Sequence, residues 1–303
     1  MSWNMSRKRQ LLILFSFSIG GLYLQSNLLQ IPQCVCGNCH HSNDPWFSTR
    51  FNTSYHPLMT RNTSVVSAET FQWWKRLQNT RSGWEEYKKV VDEIFQMIPD
   101  KEMYRDAALE RCRVCSVVGN SGNLINSHYG PMIDDGDFVL RINRGPTKGF
   151  EQDVGNKTTH RIIYPESAID IDNSTHMVFF AFKMVDLKWL VSLFKQQNKL
   201  VKKTIKANMS LVMVASPRFM KYVHHQWLQK HGRYPSTGFM TLIMALHICD
   251  KVRVFGFGAD KNGNWNHYFE RIPPAYRTGI HGGNFEYDTL KELQKRNKLE
   301  LYG

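Results

Sequence analysis

The feature that most restricts what this chain can fold into is an alternation that begins after Cys112. Short apolar runs, "SVVG" (116–119), "DFVLRIN" (137–143), "RIIY" (161–164), "MVFFAF" (177–182), "SLVMVA" (210–215) and "KVRVFGFG" (251–258), are separated by longer stretches, several with helical spacing. The helical stretches are "VDLKWLVSLFKQQ" from Val185, "PRFMKYVHHQWLQKHG" from Pro217 and "STGFMTLIMALHIC" from Ser236. Strands alternating with helices predict an α/β domain, a Rossmann-like, largely parallel sheet flanked by helices. Such sheets bind ligands beyond the carboxyl ends of their strands. That rule brings the turn at Gly119, Asn143 and the turn Gly256-Phe257-Gly258 towards one place.

The first of these turns, in "CSVVGNSGNLINS" (115–127), is neither G-x-G-x-x-G nor G-x-x-x-x-G-K-[ST]. It carries Asn120 and Asn123 and no lysine, so its chemistry is amide rather than cationic. A ligand other than a pyrophosphate is implied.

The N-terminal half sets the context. Arg7-Lys8-Arg9 precedes an uncharged apolar stretch, "LLILFSFSIGGLYL" (11–24), with weaker apolar character to Ile31. About 19 such residues span a thin bilayer, and the basic flank places that end in the cytosol. A cleaved signal peptide has the same outline, but no small-x-small site follows Leu24, which favours an uncleaved signal-anchor. The expected organisation is a cytosolic tail (1–10), a transmembrane signal-anchor (11–30), a turn-rich stem (31–65) and a lumenal domain (66–303). Sequons at Asn52, Asn62, Asn156, Asn173 and Asn208 agree with a secretory route. The six cysteines are Cys34, Cys36, Cys39, Cys112, Cys115 and Cys249. "CVCGNC" with "CRVC" has zinc-like spacing, but an oxidising lumen favours disulfides. A formal net charge of +13 suits anionic partners. With no nucleic-acid motif present, nucleic acid is not expected among them.

Candidate chemistry lies near the C-terminus. In "GRYPSTG" (232–238), Pro235 halts the preceding segment, Ser236 and Thr237 are good helix caps, and Gly238 admits a ligand to a helix N-terminus. "HYFE" carries His267. "TGIHGGNFEYD" (278–288) carries His281 in a glycine-flanked loop, exposed enough for a base. Each is weak alone.

Together they resemble a known family. The stretch 115–167 is similar to the large sialylmotif of animal sialyltransferases, and 231–258 to the small one. "HYFE" resembles the third motif, and "HGGNFE" from His281 the very small H-x-x-x-x-E motif. All occur in the family's order. "CVCGNC", "FQWWKRLQ" and "GRYPSTG" look closest to the group acting on Gal-β-1,3-GalNAc of O-glycans.

The resemblance implies a variant GT-A-like fold in a single lumenal domain and an inverting β-galactoside α-2,3-sialyltransferase. Its donor would be CMP-N-acetylneuraminic acid, a monophosphate ester that needs neither a Walker lysine nor a glycine triplet. It implies donor contacts at Asn120, Asn143, Ser236, Thr237, Gly238, Gly258 and Tyr234, with the helix start at Ser236 as a seat for the sialyl carboxylate. Gln78 and Tyr234 would contact substrate. His281 would be the base and His267 the group stabilising the leaving phosphate, while Glu286 would orient the His281 loop or serve structure alone. It implies no cofactor and no metal. Asp170 and Asp172 match D-x-D, but that motif serves diphosphates. The implied bridges are Cys34–Cys39, Cys36–Cys112 and Cys115–Cys249. The implied setting is a type II Golgi membrane protein acting on Gal-β-1,3-GalNAc of glycoproteins or glycolipids, with a homodimer as one allowed assembly. The segment 195–210 departs from the group, lacking its acceptor-side tyrosine. The rivals are a sialyltransferase of other linkage or acceptor, and a lumenal nucleotide-sugar-binding protein without turnover, which would need neither histidine.

Overall fold

The computed structural model describes residues 34–37, 44–77, 81–195, 204–259, 263–272 and 280–303. Its centre is a seven-stranded sheet in the order β5-β4-β3-β2-β1-β6-β7, parallel at every pairing. The strands are β1 (Val114–Val118), β2 (Phe138–Ile142), β3 (His160–Ile163), β4 (His176–Phe179), β5 (Val212–Val214), β6 (Lys251–Phe255) and β7 (Glu300–Tyr302). Six of them are the apolar runs read above. Strands covered on both faces bury every position, so they read as continuous apolar stretches.

Successive side chains point to opposite faces. Cys115 and Val117 of β1, Leu140 and Ile142 of β2, and Val252 and Val254 of β6 enter the larger core. Val118, Val139 and Phe255 enter a smaller one with Leu124, Ile133, Val154 and Tyr268. The larger core is closed by α8 (Thr237–Ile248), in which every residue except Gly238 is buried. A helix apolar all round belongs inside, and α8 crosses β1, β2, β3 and β6. The smaller core is closed by α4 (Gly130–Asp134) and α5 (Glu151–Val154).

The remaining helices extend the larger layer. In α3 (Trp84–Phe95), Tyr87, Val90, Val91, Ile94 and Phe95 are buried at amphipathic spacing, and this face packs on α6 (Met184–Phe194). In α2 (Ala68–Leu77), Phe71, Trp74 and Leu77 are buried, and Trp74 Nε1 donates to the Ala181 carbonyl at 2.9 Å. Losing that indole should cost about 3–5 kcal/mol. α7 (Pro217–Tyr222) runs into a wider π-helical turn, Val223–Trp227.

Two readings change. The stretch assigned to a stem contributes to the folded unit from residue 44 onward. It forms α1 (Pro45–Ser48), Phe47 and Met59 are buried, and Met59 N donates to the Val214 carbonyl at 2.7 Å. The glycine-flanked His281 segment opens onto a helix, α9 (Gly283–Lys295), so His281 is half-buried at a helix start rather than on a free loop.

Disulfides join Cys36 to Cys112 and Cys115 to Cys249. The Cys34–Cys39 pairing involves Cys39, which lies outside the described residues, as do the anchor segment 11–30 and Gln78. No helix among the described residues is long and apolar enough to cross a membrane.

Candidate active site

The strand order reverses beside β1: the chain moves outward from β1 through β2 to β5, then returns to place β6 on β1's other edge. A crevice opens at such a switch point, beyond the strand ends. Here Gly119 follows β1 and Gly256 follows β6. Gly119 N donates to the Phe255 carbonyl at 2.8 Å and Ser121 N to the Gly256 carbonyl at 3.0 Å. A Cβ on Gly119 would lie 2.3 Å from the Gly256 oxygen, so only glycine lets the two turns meet.

A cavity of about 580 Å³ occupies this crevice. Of the residues expected at a site, Asn120, Ser236, Gly238, Gly258, His267, His281 and Glu286 line it. Asn143, Thr237 and Tyr234 do not, although each adjoins a residue or group that does. Asn143 follows the lining residue Ile142, takes a left-handed φ of +56° and has a buried Oδ1 without a hydrogen-bond partner. Thr237 is buried at the head of α8. Tyr234 is buried, with its ring edge-on to His281 at 4.9 Å.

The two histidines are held differently. His281 Nδ1 lies 3.0 Å from the Tyr234 carbonyl. A carbonyl only accepts, so Nδ1 carries a proton, and in the neutral ring the lone pair is on Nε2. An antiparallel bridge between Gly232 and His281 fixes the backbone there. His267 Nδ1 lies 2.8 Å from Glu270 Oε1, an ion-pair geometry, and its ring stacks on Phe269. The carboxylate holds the ring in place from one side. One histidine is thus tied to a backbone carbonyl and the other to a carboxylate.

The start of α8 is already engaged. Ser236 caps it, its Oγ accepting from Phe239 N at 3.1 Å. Ser236 N donates to Glu286 Oε1 at 2.7 Å and Ser236 Oγ to Glu286 Oε2 at 2.6 Å. The anion at this helix N-terminus is therefore the protein's own, and a substrate carboxylate would not find a free Ser236 N–H. Burial pushes the Glu286 carboxyl above its usual range, and the Ser236 bonds and His281 oppose that shift. Glu286 is buried and tied to the α8 start rather than to the His281 backbone. Gly258, at φ +87°, lies against the Tyr287 ring, which a Cβ would approach to 2.6 Å.

A family model described as glycosyltransferase family 29 (sialyltransferase) matches residues 58–298. The chain belongs to this family; it is a sialyltransferase. It is 42% identical over 280 residues to the CMP-N-acetylneuraminate-beta-galactosamide-alpha-2,3-sialyltransferase 1 of Mus musculus, covering 89% of this chain and 83% of that protein. To the sialyltransferase 1 of Homo sapiens it is 40% identical over 298 residues, covering 93% and 86%. The crystal structure of a mammalian sialyltransferase in complex with Gal-beta-1-3GalNAc-ortho-nitrophenol superposes with a TM-score of 0.80 at 41% identity. That match covers 89% of this chain and 98% of that one.

Within this sialyltransferase, Asp170 and Asp172 do not form a metal site with the cavity. Asp172 accepts from the amides and hydroxyls of Ser174 and Thr175, and Asp170 accepts from Lys206 N. Both line a separate depression. Among the described residues no group of three or more His, Cys, Asp or Glu is placed to hold a metal ion. The sequence reading missed Glu270 as the partner of His267; the only signal was its place three residues on, inside "HYFE". It also missed Trp265, a partly exposed indole on the cavity wall, and Tyr287.

Proposed function

We propose that this sialyltransferase moves N-acetylneuraminic acid from its CMP ester to the 3-hydroxyl of galactose in Gal-β-1,3-GalNAc, by a single inverting displacement. The observation that carries this is a pair of histidines on one cavity, one tied through Nδ1 to a backbone carbonyl and the other to a carboxylate. His281 Nε2 takes the proton of the attacking hydroxyl as the new bond forms at the anomeric carbon. The bond from that carbon to the phosphate oxygen breaks, and CMP leaves as an anion. His267, backed by Glu270, donates to the phosphate and stabilises the charge gathering there. The donor lies along the Gly119-Asn120 turn and the turn ending at Gly258, with Asn143 completing the amide contacts. Tyr234 is assigned to the acceptor side, as is Gln78 by the family resemblance alone.

The reaction proceeds without a metal: the donor carries one phosphate rather than a diphosphate, and the second charge that gathers on it as CMP departs is met by His267 and the surrounding amide dipoles. The chain is held in the Golgi membrane by residues 11–30, with the domain in the lumen. The names of its relatives support the linkage, and the sugar bound in the matching mammalian crystal structure supports the acceptor.

The test is transfer from CMP-sialic acid to a Gal-β-1,3-GalNAc acceptor in the presence of chelator, with CMP titrated separately. The wild type should form the 3-linked product. His281→Ala should lose about 10²–10⁴-fold in rate and still bind CMP. A wild type that binds CMP but leaves this acceptor untouched overturns the acceptor assignment. An active His281→Ala overturns the base.

A further inference from the structure

Arg161 is a buried charge that the transfer chemistry leaves unused. It sits in β3, is 8% exposed, lines the depression that also holds Asp170 and Asp172, and forms no ion pair within 4 Å among the described residues. Its nearest carboxylate influence is Asp172, whose oxygens are committed to Ser174 and Thr175. A guanidinium buried without a carboxylate partner is costly and persists only where its hydrogen bonds are needed.

Those bonds converge on one loop. Nη1 of Arg161 donates to the Gly145 carbonyl at 2.9 Å and the Asn143 carbonyl at 3.3 Å. Past the end of β2 the backbone has left the sheet, so its carbonyls have no ladder partner and must find other donors. Two flanking carbonyls are also met by side chains. Asn120 Nδ2 donates to the Ile142 carbonyl at 3.3 Å, and Tyr268 Oη donates to the Pro146 carbonyl at 2.6 Å. Tyr268 N also donates to the Asn120 carbonyl at 2.9 Å. Gly145 fits beneath Asn120 because a Cβ there would lie 2.5 Å from Asn120 Oδ1. The loop thus joins the left-handed Asn143, the cavity-lining Asn120 and the segment that carries His267.

We propose that Arg161 is a positioning residue of the donor site, a buried clamp that fixes loop 143–146 so that the Asn143 and Asn120 amides stand ready for the CMP moiety. This rests on the donor placement proposed above. The clamp explains why Asn143 keeps an unpaired buried Oδ1: its backbone is held from behind by Arg161, which leaves the amide for a ligand. It also explains why an arginine is used. One terminal nitrogen of a planar fork reaches two carbonyls from a fixed direction, which a shorter ammonium does not reproduce.

The test compares wild type with Arg161→Met, Arg161→Lys and Asn143→Ala, measuring CMP affinity by calorimetry, both substrates' KM values and Tm. Arg161→Met should weaken CMP and raise the donor KM roughly tenfold, the loss of about one charge-assisted bond, with the acceptor KM within about twofold of wild type. Arg161→Lys should recover part of this. If Arg161→Met does not fold, Arg161→Lys decides by the same criterion. Weak CMP binding in Asn143→Ala with wild-type binding in the arginine variants overturns the clamp alone. Wild-type CMP binding in Asn143→Ala and the arginine variants overturns the donor placement and the clamp with it. Equal losses in donor and acceptor KM also overturn it, because a general loosening of the fold would not spare one substrate.

Discussion

Acidification should destabilise this enzyme through a residue remote from its cavity. His160 opens β3 with its ring 1% exposed. Tyr104 Oη lies against Nε2 at 2.5 Å and Thr159 Oγ1 against Nδ1 at 2.7 Å. Thr159 Oγ1 donates to the Val139 carbonyl, so it accepts from Nδ1–H, and Tyr104 donates to Nε2. This network suits the neutral ring only. Burial, then His176 and Arg113, lower the His160 pKa from 6.5 to about 3. A base with a depressed folded pKa gives stability that is complete above about 6.5 and is lost as pH falls towards the folded value. Between pH 7 and pH 5 the unfolded chain takes up this proton and the folded chain does not, a difference of about 2 kcal/mol. For a domain of this size that is about 4–8 °C in Tm. Asp186 works in the opposite sense. Its pKa is raised to about 6 by burial, so its contribution is present at low pH and lost as pH rises through that value. The two partly offset one another in the wild type. The informative quantity is therefore the difference between wild type and His160→Gln in urea midpoints at pH 7 and pH 5, from which Asp186 cancels. The wild type should lose about 2 kcal/mol more than the variant on acidification. Equal pH slopes for the two proteins would refute the neutral, network-bound histidine.

Two further outcomes follow from the site. Glu270→Gln removes the charge behind His267 and should lower kcat by about tenfold, the worth of one charge-assisted bond, with CMP affinity changed much less; an unchanged kcat would separate Glu270 from the chemistry. Gly258→Ala should weaken CMP by tenfold or more, since a Cβ meets both a left-handed backbone and the Tyr287 ring; CMP titration of the folded variant reads this directly.

The sheet was legible because fully covered parallel strands are apolar at every position, as "SVVG" and "RIIY" are. β7 was not: it is an edge of three half-buried residues, Glu300–Tyr302, one of them charged. α9 was hidden by its opening, where His281 and two glycines read as loop before Phe285, Leu290 and Leu293 set a helical period. The strand read through Phe182 stops at Phe179, because Asp186 accepts from Phe182 N and Lys183 N and starts α6 there. Motif spacing located both histidines and Asn120. What distinguishes the two histidines is a backbone carbonyl as partner in one case and an exposed carboxylate in the other. A carbonyl belongs to every residue and leaves no mark in a sequence. Ser236 illustrates the converse: its cap was read correctly, but the anion it faces comes from 50 positions away.

The Cys36–Cys112 bridge has a bearing on orientation. Cys112 lies just before β1, at the amino ends of the strands, whereas the cavity opens at their carboxyl ends. Val35 N also donates to the Leu109 carbonyl at 3.0 Å, so the incoming chain is pinned at that end twice. Five residues of strand put about 17 Å between the point of attachment and the cavity floor. A chain tethered through its N-terminal segment then presents the cavity on its far side. With the anchoring proposed above, bulky acceptors approach from open solution, with no need to pass between the enzyme and the membrane.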